Sequence, residues 1–161
     1  MHERARDLID SLQLQPHPEG GFYREIYRSA SAVQPAQSRP ARSALTTIYF
    51  LLPEGAHSRW HSVSSDEVWH LYEGGPLELL IADAEVAALQ SVVLQPASAT
   101  HGPVCTIPAG HWQAARPLGA YALMGCTVAP GFEFEDFAFL RDAGAAAQKL
   151  TAVNPQWAAL L

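Results

Sequence analysis

Lysine is almost missing from this 161-residue chain, with Lys149 the only one. No run of lysine or arginine occurs, the formal net charge is −6 and the pI is about 5.5. A clustered basic face is what binds nucleic acid or an anionic membrane surface, so both partners are excluded. No stretch reaches the roughly 18 consecutive apolar residues that a membrane-spanning helix needs. The first residues, Met1 to Asp7, carry no apolar segment behind them of the kind a secretion signal has, so the chain is expected in the cytoplasm. Cysteine is scarce: Cys105 and Cys126 lack both the number for a disulfide framework and the paired spacing of a zinc site. Both read as small apolar residues on strands. No internal repeat, low-complexity tract or alternation of strand with helix is visible, which argues against a βαβ fold.

What is present is strand. The length suits one domain over residues 1–161 with its core in roughly 5–150, large enough to fold without staples. Ala5, Leu8, Ile9 and Leu12 fall on one face at helical spacing, and Pro16 and Pro18 stop a short helix over 2–14. Phe22 to Arg28 reads as a strand. Residues 29–43, rich in Ser, Ala, Pro and Gln, read as a surface loop and candidate lid. Strand patterns follow at 45–52, 68–72, 77–81, 89–94, 104–107 and 121–129, most of them bounded by Pro or Gly. That spacing predicts an all-β sandwich or closed barrel. Phe132 and Phe134 share one strand parity and Phe137 and Phe139 the other, so a bulge is expected at Glu135 and Asp136. A terminal helix is expected over 141–150, broken at Asn154 and Pro155.

The chemistry concentrates between Gly55 and Gly74, which hold three of the seven histidines. Side chains alternate along a strand, so His57, Arg59, His61 and Val63 share a face, as do Glu67, Trp69 and Leu71 across the turn. His61 and Glu67 are therefore expected to meet on the inner face. Such a pair can bind a divalent metal, or the carboxylate can orient the imidazole as a general base. As often it is only a satisfied polar pair. His57 is expected at the rim, and His70, of the wrong parity, on the other face. His2, His17 and His101 fall in a terminus or loops and receive no role.

Gly55, His61, Glu67 and Gly74, followed by Gly102, Pro108 and Gly110, resemble the two motifs of the cupin superfamily. Val63 stands where the first motif has its second histidine. Gln113 and Pro117 stand at the histidine and asparagine of the second. Pro18 to Glu25, Thr47 to Leu52, Ser65 to His70, Pro76 to Leu79, Pro108 to Ala115 and Val128 to Phe137 resemble one branch, the cupin-5 (DUF985) family. The resemblance implies a double-stranded β-helix (jelly roll) barrel with short N- and C-terminal helices, commonly a homodimer. An exchanged Phe22–Arg28 strand would cover a sheet edge there. The usual cupin metal site has three histidines and a glutamate. Here His61, Glu67 and Gln113 would be the ligands of any divalent metal, and the loss of two imidazoles disfavours one.

Three functions compete for a small-molecule ligand. The favoured one is a metal-independent isomerase or epimerase acting on a carbohydrate-like ligand. His61 would be its base, Glu67 its orienter, and Tyr23, Tyr49 or Tyr72 the acid. Arg59 would meet an anionic group, and Trp69, Gln113, Tyr49 and Phe132 would line the pocket. The alternatives are a non-catalytic binding or sensing module built on Trp69, Trp112, Phe132 and Phe134, and a metal-dependent, oxygenase-like enzyme.

Overall fold

The computed structural model describes residues 1–35 and 39–161. β-Branched and aromatic residues in short runs, each closed by Gly or Pro, fold into strands that pair antiparallel throughout. After helix α1 (Glu3–Ser11) come β1 (Gln15–Pro16), β2 (Phe22–Arg28), β3 (Ala32–Val33), β4 (Arg42–Ser43), β5 (Thr46–Pro53), β6 (Ser58–Val63) and β7 (Asp66–Gly74). Then follow β8 (Leu77–Ala82), β9 (Leu89–Leu94), β10 (Val104–Ile107), β11 (Trp112–Pro117), β12 (Tyr121–Ala129) and β13 (Phe137–Phe139), and helices α2 (Gly144–Val153) and α3 (Pro155–Ala158) close the chain. One sheet runs β1-β2-β5-β12-β7-β10 and a second β13-β6-β11-β8-β9, while β3 and β4 form a separate hairpin.

The barrel interior holds one apolar cluster, in which Phe50, Leu52, Trp69 and Met124 of the first sheet meet Leu77, Leu79, Ile81 and Ala115 of the second. Each sheet's outer face has its own helical cover. α1 lays Ala5 and Leu8 against Leu51, Tyr121 and Leu123. The turn at Leu140, helix α2 and the chain end cover Trp60, Leu80 and Ala114 with Leu140, Leu150 and Leu160. None of the described helices is long and apolar enough to cross a membrane.

Strands β2, β9, β10 and β12 have the bounds that their patterns predict. β11 shows no such pattern, because Gln113, Ala114 and Ala115 are buried on both faces and alternate nothing. Two alanines are weak strand formers, and tertiary packing at 0% exposure overrides that preference. The expected bulge at Glu135 and Asp136 is instead a 3₁₀ turn over Phe134–Asp136, so Phe132 and Phe134 precede β13 and lie outside it. The strand expected to exchange between copies, β2, pairs with β5 of its own chain, from Phe22 opposite Leu51 to Arg28 opposite Thr46.

The expected loop over 29–43 contains the β3–β4 hairpin, and its residues 36–38 lie outside the described residues. Arg42 straps this hairpin to the 3₁₀ turn. Its Nε and Nη2 donate to the two carboxylate oxygens of Asp136 at 2.8 and 3.2 Å, and Arg39 Nη1 lies 3.4 Å from the same carboxylate. The guanidinium beside it holds the Asp136 carboxyl below its ordinary range.

Candidate functional site

A cavity of about 270 Å³ lies between β2, β5, β6, β7 and β12, with the Phe132–Phe137 segment at its mouth. Its floor carries three buried titratable groups, His61, Glu19 and Glu67, exposed by 2%, 6% and 6%. The His61 Nδ1 lies 2.7 Å from the carbonyl oxygen of Arg59. A carbonyl only accepts, so Nδ1 carries the hydrogen and Nε2 keeps its lone pair. That Nε2 faces Glu19 Oε2 at 3.3 Å. Ser58 Oγ donates to the other Glu19 oxygen at 3.0 Å. The imidazole stacks on Phe137 with centroids 5.3 Å apart and planes 18° apart.

Burial sets the charge of this pair. It pushes Glu19 up to about 8, against a smaller opposing effect of the Ser58 hydrogen bond. It pushes His61 down, opposed by the Glu67 charge and the Arg59 carbonyl. Both directions favour neutral partners, a carboxylic acid beside an imidazole whose Nε2 is bare. His17 sits alongside with its Nδ1 3.7 Å from Glu19 Oε2, and it accepts the Glu19 backbone N–H at 3.3 Å. Burial, with His61 second, lowers His17 to about 4, so it too is neutral.

Glu67 hangs from a chain of donors. Trp69 Nε1 donates to Gln113 Oε1 at 2.8 Å, and Gln113 Nε2 donates to Glu67 Oε2 at 2.5 Å. Burial pushes Glu67 up to about 7, with His61 opposing it and Glu19 and Gln113 contributing less. The Cys126 thiol shares this wall, and burial and the Glu67 charge raise it well above the ordinary thiol range. At the mouth, Arg28 donates to both Glu25 oxygens at 3.0 and 2.9 Å, to Glu133 at 2.6 Å and to the Phe132 carbonyl at 3.1 Å.

The structure thus brings His61, Glu67, Phe132, Phe134 and Tyr23 to one cavity and places Arg59, Trp69, Gln113 and Tyr49 outside its lining. Glu67 does not orient His61, because the carboxyl beside the imidazole is Glu19. Gln113 stands behind Glu67 and positions it, while Trp69 is core. Arg59 points away from the cavity: its Nη1 donates to the Pro18 carbonyl at 3.0 Å. The reason is a bulge, since β6 spends four residues, His61 to Ser58, opposite three of β11, Gln113 to Ala115. Ser58 takes the inward place that strict alternation gives Arg59. Tyr49 lies on the outer sheet face in a shallow groove with Tyr72, so Tyr23 is the one of the three candidate tyrosines that lines the cavity. His70 is on that outer face too, stacked on Tyr72.

Sequence reasoning misses His17, Glu19, Glu25 and Arg28. Glu19 rides on the turn between β1 and β2, where no alternation operates. Its signal is the pair Gly20–Gly21, with φ of 120° and 68°, angles at which side chains other than glycine are strained. A Cβ on Gly20 would run into the His57 carbonyl. Gly20→Ala is therefore expected to lower stability by about 1–3 kcal/mol and to displace Glu19 from Ser58, visible as a drop in urea midpoint and a shifted His61 imidazole resonance.

The positions expected to ligate a metal do not fit one. Val63 offers no donor, the Gln113 amide is committed at both ends, and Glu67 already accepts from it. Among the described residues no group of three or more His, Cys, Asp or Glu side chains is placed to hold a metal ion.

Residues 6–140 match the family described as cupin superfamily (DUF985). A hypothetical protein from Leishmania major is 30% identical, with 97% of this chain and 95% of that one covered and a TM-score of 0.80. A protein from Shewanella oneidensis is 34% identical over 97% and 93%, also with a TM-score of 0.80. A Bacillus subtilis oxalate decarboxylase variant, 17% identical with a TM-score of 0.56, shares the fold over 85% of this chain and 33% of its own. No curated protein matches. The chain belongs to the DUF985 family of the cupin superfamily.

Proposed function

We propose that this cupin binds a small carbohydrate-like carbonyl compound and moves a proton on it without a metal, in the manner of an isomerase or epimerase. The observation that carries the reading is the bare His61 Nε2 facing the Glu19 acid inside the cavity. The reaction would run as follows in that geometry. Nε2 takes a proton from the carbon next to the carbonyl, while Glu19 Oε2–H gives its proton to the carbonyl oxygen, leaving a neutral enediol. Return of the two protons, to the other carbon or the other face, gives the isomer. Glu67, Cys126 and Tyr23 border the same space. A nucleotide diphosphate fits poorly, because the cavity's guanidinium, Arg28, is already held by two carboxylates.

The test is deuterium incorporation from D₂O into a panel of aldoses and ketoses, followed by NMR. Exchange that disappears in His61→Ala supports the reading. Ligands that raise the melting temperature yet never exchange a proton would establish a non-catalytic binding module in its place. Prolonged treatment with a chelator is expected to leave exchange and melting temperature unchanged. Stoichiometric iron, manganese, nickel or zinc that vanishes in His61→Ala would overturn the metal-free mechanism.

Pairing of two copies is part of the same proposal. Ile26, Tyr72 and Val104 leave 38%, 54% and 49% of their surface exposed on the outer face of the first sheet. A second copy there would cover them, and a monomer mass by sedimentation at micromolar concentration would refute it.

A further inference from the structure

The cavity's charge is one-sided in a way that proton transfer alone does not require. Its floor has two carboxyls, Glu19 and Glu67, and its mouth two more, Glu25 and Glu133. The mouth pair is neutralised in part by Arg28, whose four contacts engage four of the five guanidinium N–H donors. The floor pair has no cation. Glu19 is met by Ser58, His61 and His17, Glu67 by Gln113 and Cys126, and burial keeps both imidazoles uncharged. Buried carboxyls are stable when a positive charge completes them, and otherwise they stay protonated. Here burial holds Glu19 near 8 and Glu67 near 7.

The walls point the same way. Phe132 stands edge-on to Phe134 at 5.1 Å and 80°, and to Phe137 at 6.2 Å and 73°. His61 stacks on one face of Phe137 and His17 lies nearly parallel to Phe134 at 6.5 Å, which leaves each of these rings one face for a ligand, and Phe132 and Tyr23 line the same cavity. Aromatic faces attract cations, and they do so more strongly once water is excluded. Phe134 is 55% exposed, a large apolar surface left open at the entrance.

We infer that the cavity selects a small organic cation, a ligand carrying a protonated amine that seats between the Phe132–Phe137 aromatics and the Glu19–Glu67 floor. The ammonium would supply the charge that the floor lacks, and Glu67, the less perturbed carboxyl, would ionise first. A carboxylate or phosphate ligand would face two buried carboxyls with no free counter-ion. This rests on the proposed function only in taking the same cavity as the binding site, and it holds whether or not the bound molecule turns over.

Three size-matched probes test it by calorimetry on the intact protein: benzylamine, benzyl alcohol and benzoate. Benzylamine is expected to bind about tenfold more tightly than benzyl alcohol, a gap of about 1.4 kcal/mol, and benzoate not at all. In Glu67→Gln the preference for amine over alcohol should shrink towards unity. Retained benzyl alcohol binding would show that the variant's cavity is intact. Phe134→Ala, on the exposed rim, should weaken the amine several-fold without loss of fold. Equal binding of amine and alcohol, tighter binding of benzoate, or no amine binding at millimolar concentration would each overturn the inference. A deuterium-exchange failure with amine selectivity intact would remove the proposed reaction alone.

Discussion

Glu19→Gln is expected to reduce proton exchange on a bound substrate by about 10²–10⁴-fold, the usual contribution of a placed acid or base. The amide keeps the volume of the side chain and an oxygen for the Ser58 hydroxyl. It has no acidic proton to give and no charge to gain. The same substitution carries a second signature, in stability. In the folded protein Glu19 is raised from its ordinary 4.5 to about 8, and Glu67 to about 7. Such carboxyls bind fewer protons unfolded than folded over that interval, so stability falls as pH climbs through it. His17, lowered from 6.5 to about 4, acts in the opposite sense, adding stability as pH rises from 4 to 6.5. His61 moves in the same direction as His17. The two effects oppose each other in mild acid. Above the histidine range the two buried carboxyls dominate the pH dependence. Between pH 6.5 and 8 the protein should lose about 2 kcal/mol, from a slope near 1.36 kcal/mol per unit for Glu19. Urea unfolding at the two pH values measures this. Glu19→Gln should flatten most of the difference, and an undiminished decline in the variant would mean that another group carries it.

Trp60→Ala is expected to cost about 3–5 kcal/mol, the range for deleting a large buried aromatic. Trp60 is 0% exposed and joins two parts of the molecule. Its indole Nε1 donates to the Trp157 carbonyl at 2.9 Å, its backbone N–H donates to Leu160 at 3.0 Å, and its ring lies 6.2 Å from that of Trp157. Truncation opens a void under α2 and α3 and removes the donor to their carbonyl. Because a domain's whole stability is about 5–15 kcal/mol, roughly a fifth or more should be lost, with a fall in melting temperature on the order of 10 °C. Hydrogen exchange should show residues 144–161 losing protection first. Uniform loss across both sheets would mean that the C-terminal helices are not a separable cover.

The contrast between Trp60 and Glu19 shows what the bare sequence can express. Trp60 and His61 are neighbours with opposite fates, one under the helices and one in the cavity. Period-two alternation assigns them correctly, as it does Glu67 and Trp69 across the turn. The same rule misplaces Arg59, because one extra residue in β6 shifts Ser58 inward, and nothing in the local residue types announces the bulge. Tyr49 is misassigned for a plainer reason: Ile48 and Phe50 face the interior, so the residue between them cannot. Glu19 is invisible to periodicity altogether. It sits on a turn, and its proximity to His61 is a tertiary fact, set by the Arg59 N–H bonding to the Glu19 carbonyl at 2.9 Å. The fold was more legible than the site. Strand and turn signals recur along the whole chain, whereas the site depends on one short contact between distant segments.

The placement of Glu19 also ties the proposed reactivity to the order in which the barrel assembles. Its turn belongs to β1 and β2, at one margin of the larger sheet, and β2 joins the rest of that sheet through β5, which pairs in turn with β12. Phe50, for instance, lies opposite Met124, a partner far away in the chain. Such long loops close late in folding, and marginal strands open before central ones do. A barrel folded from β5 onward would own His61, Glu67 and an open mouth, yet lack its acid. Fraying of the first 28 residues would then disarm the protein reversibly, well short of unfolding it.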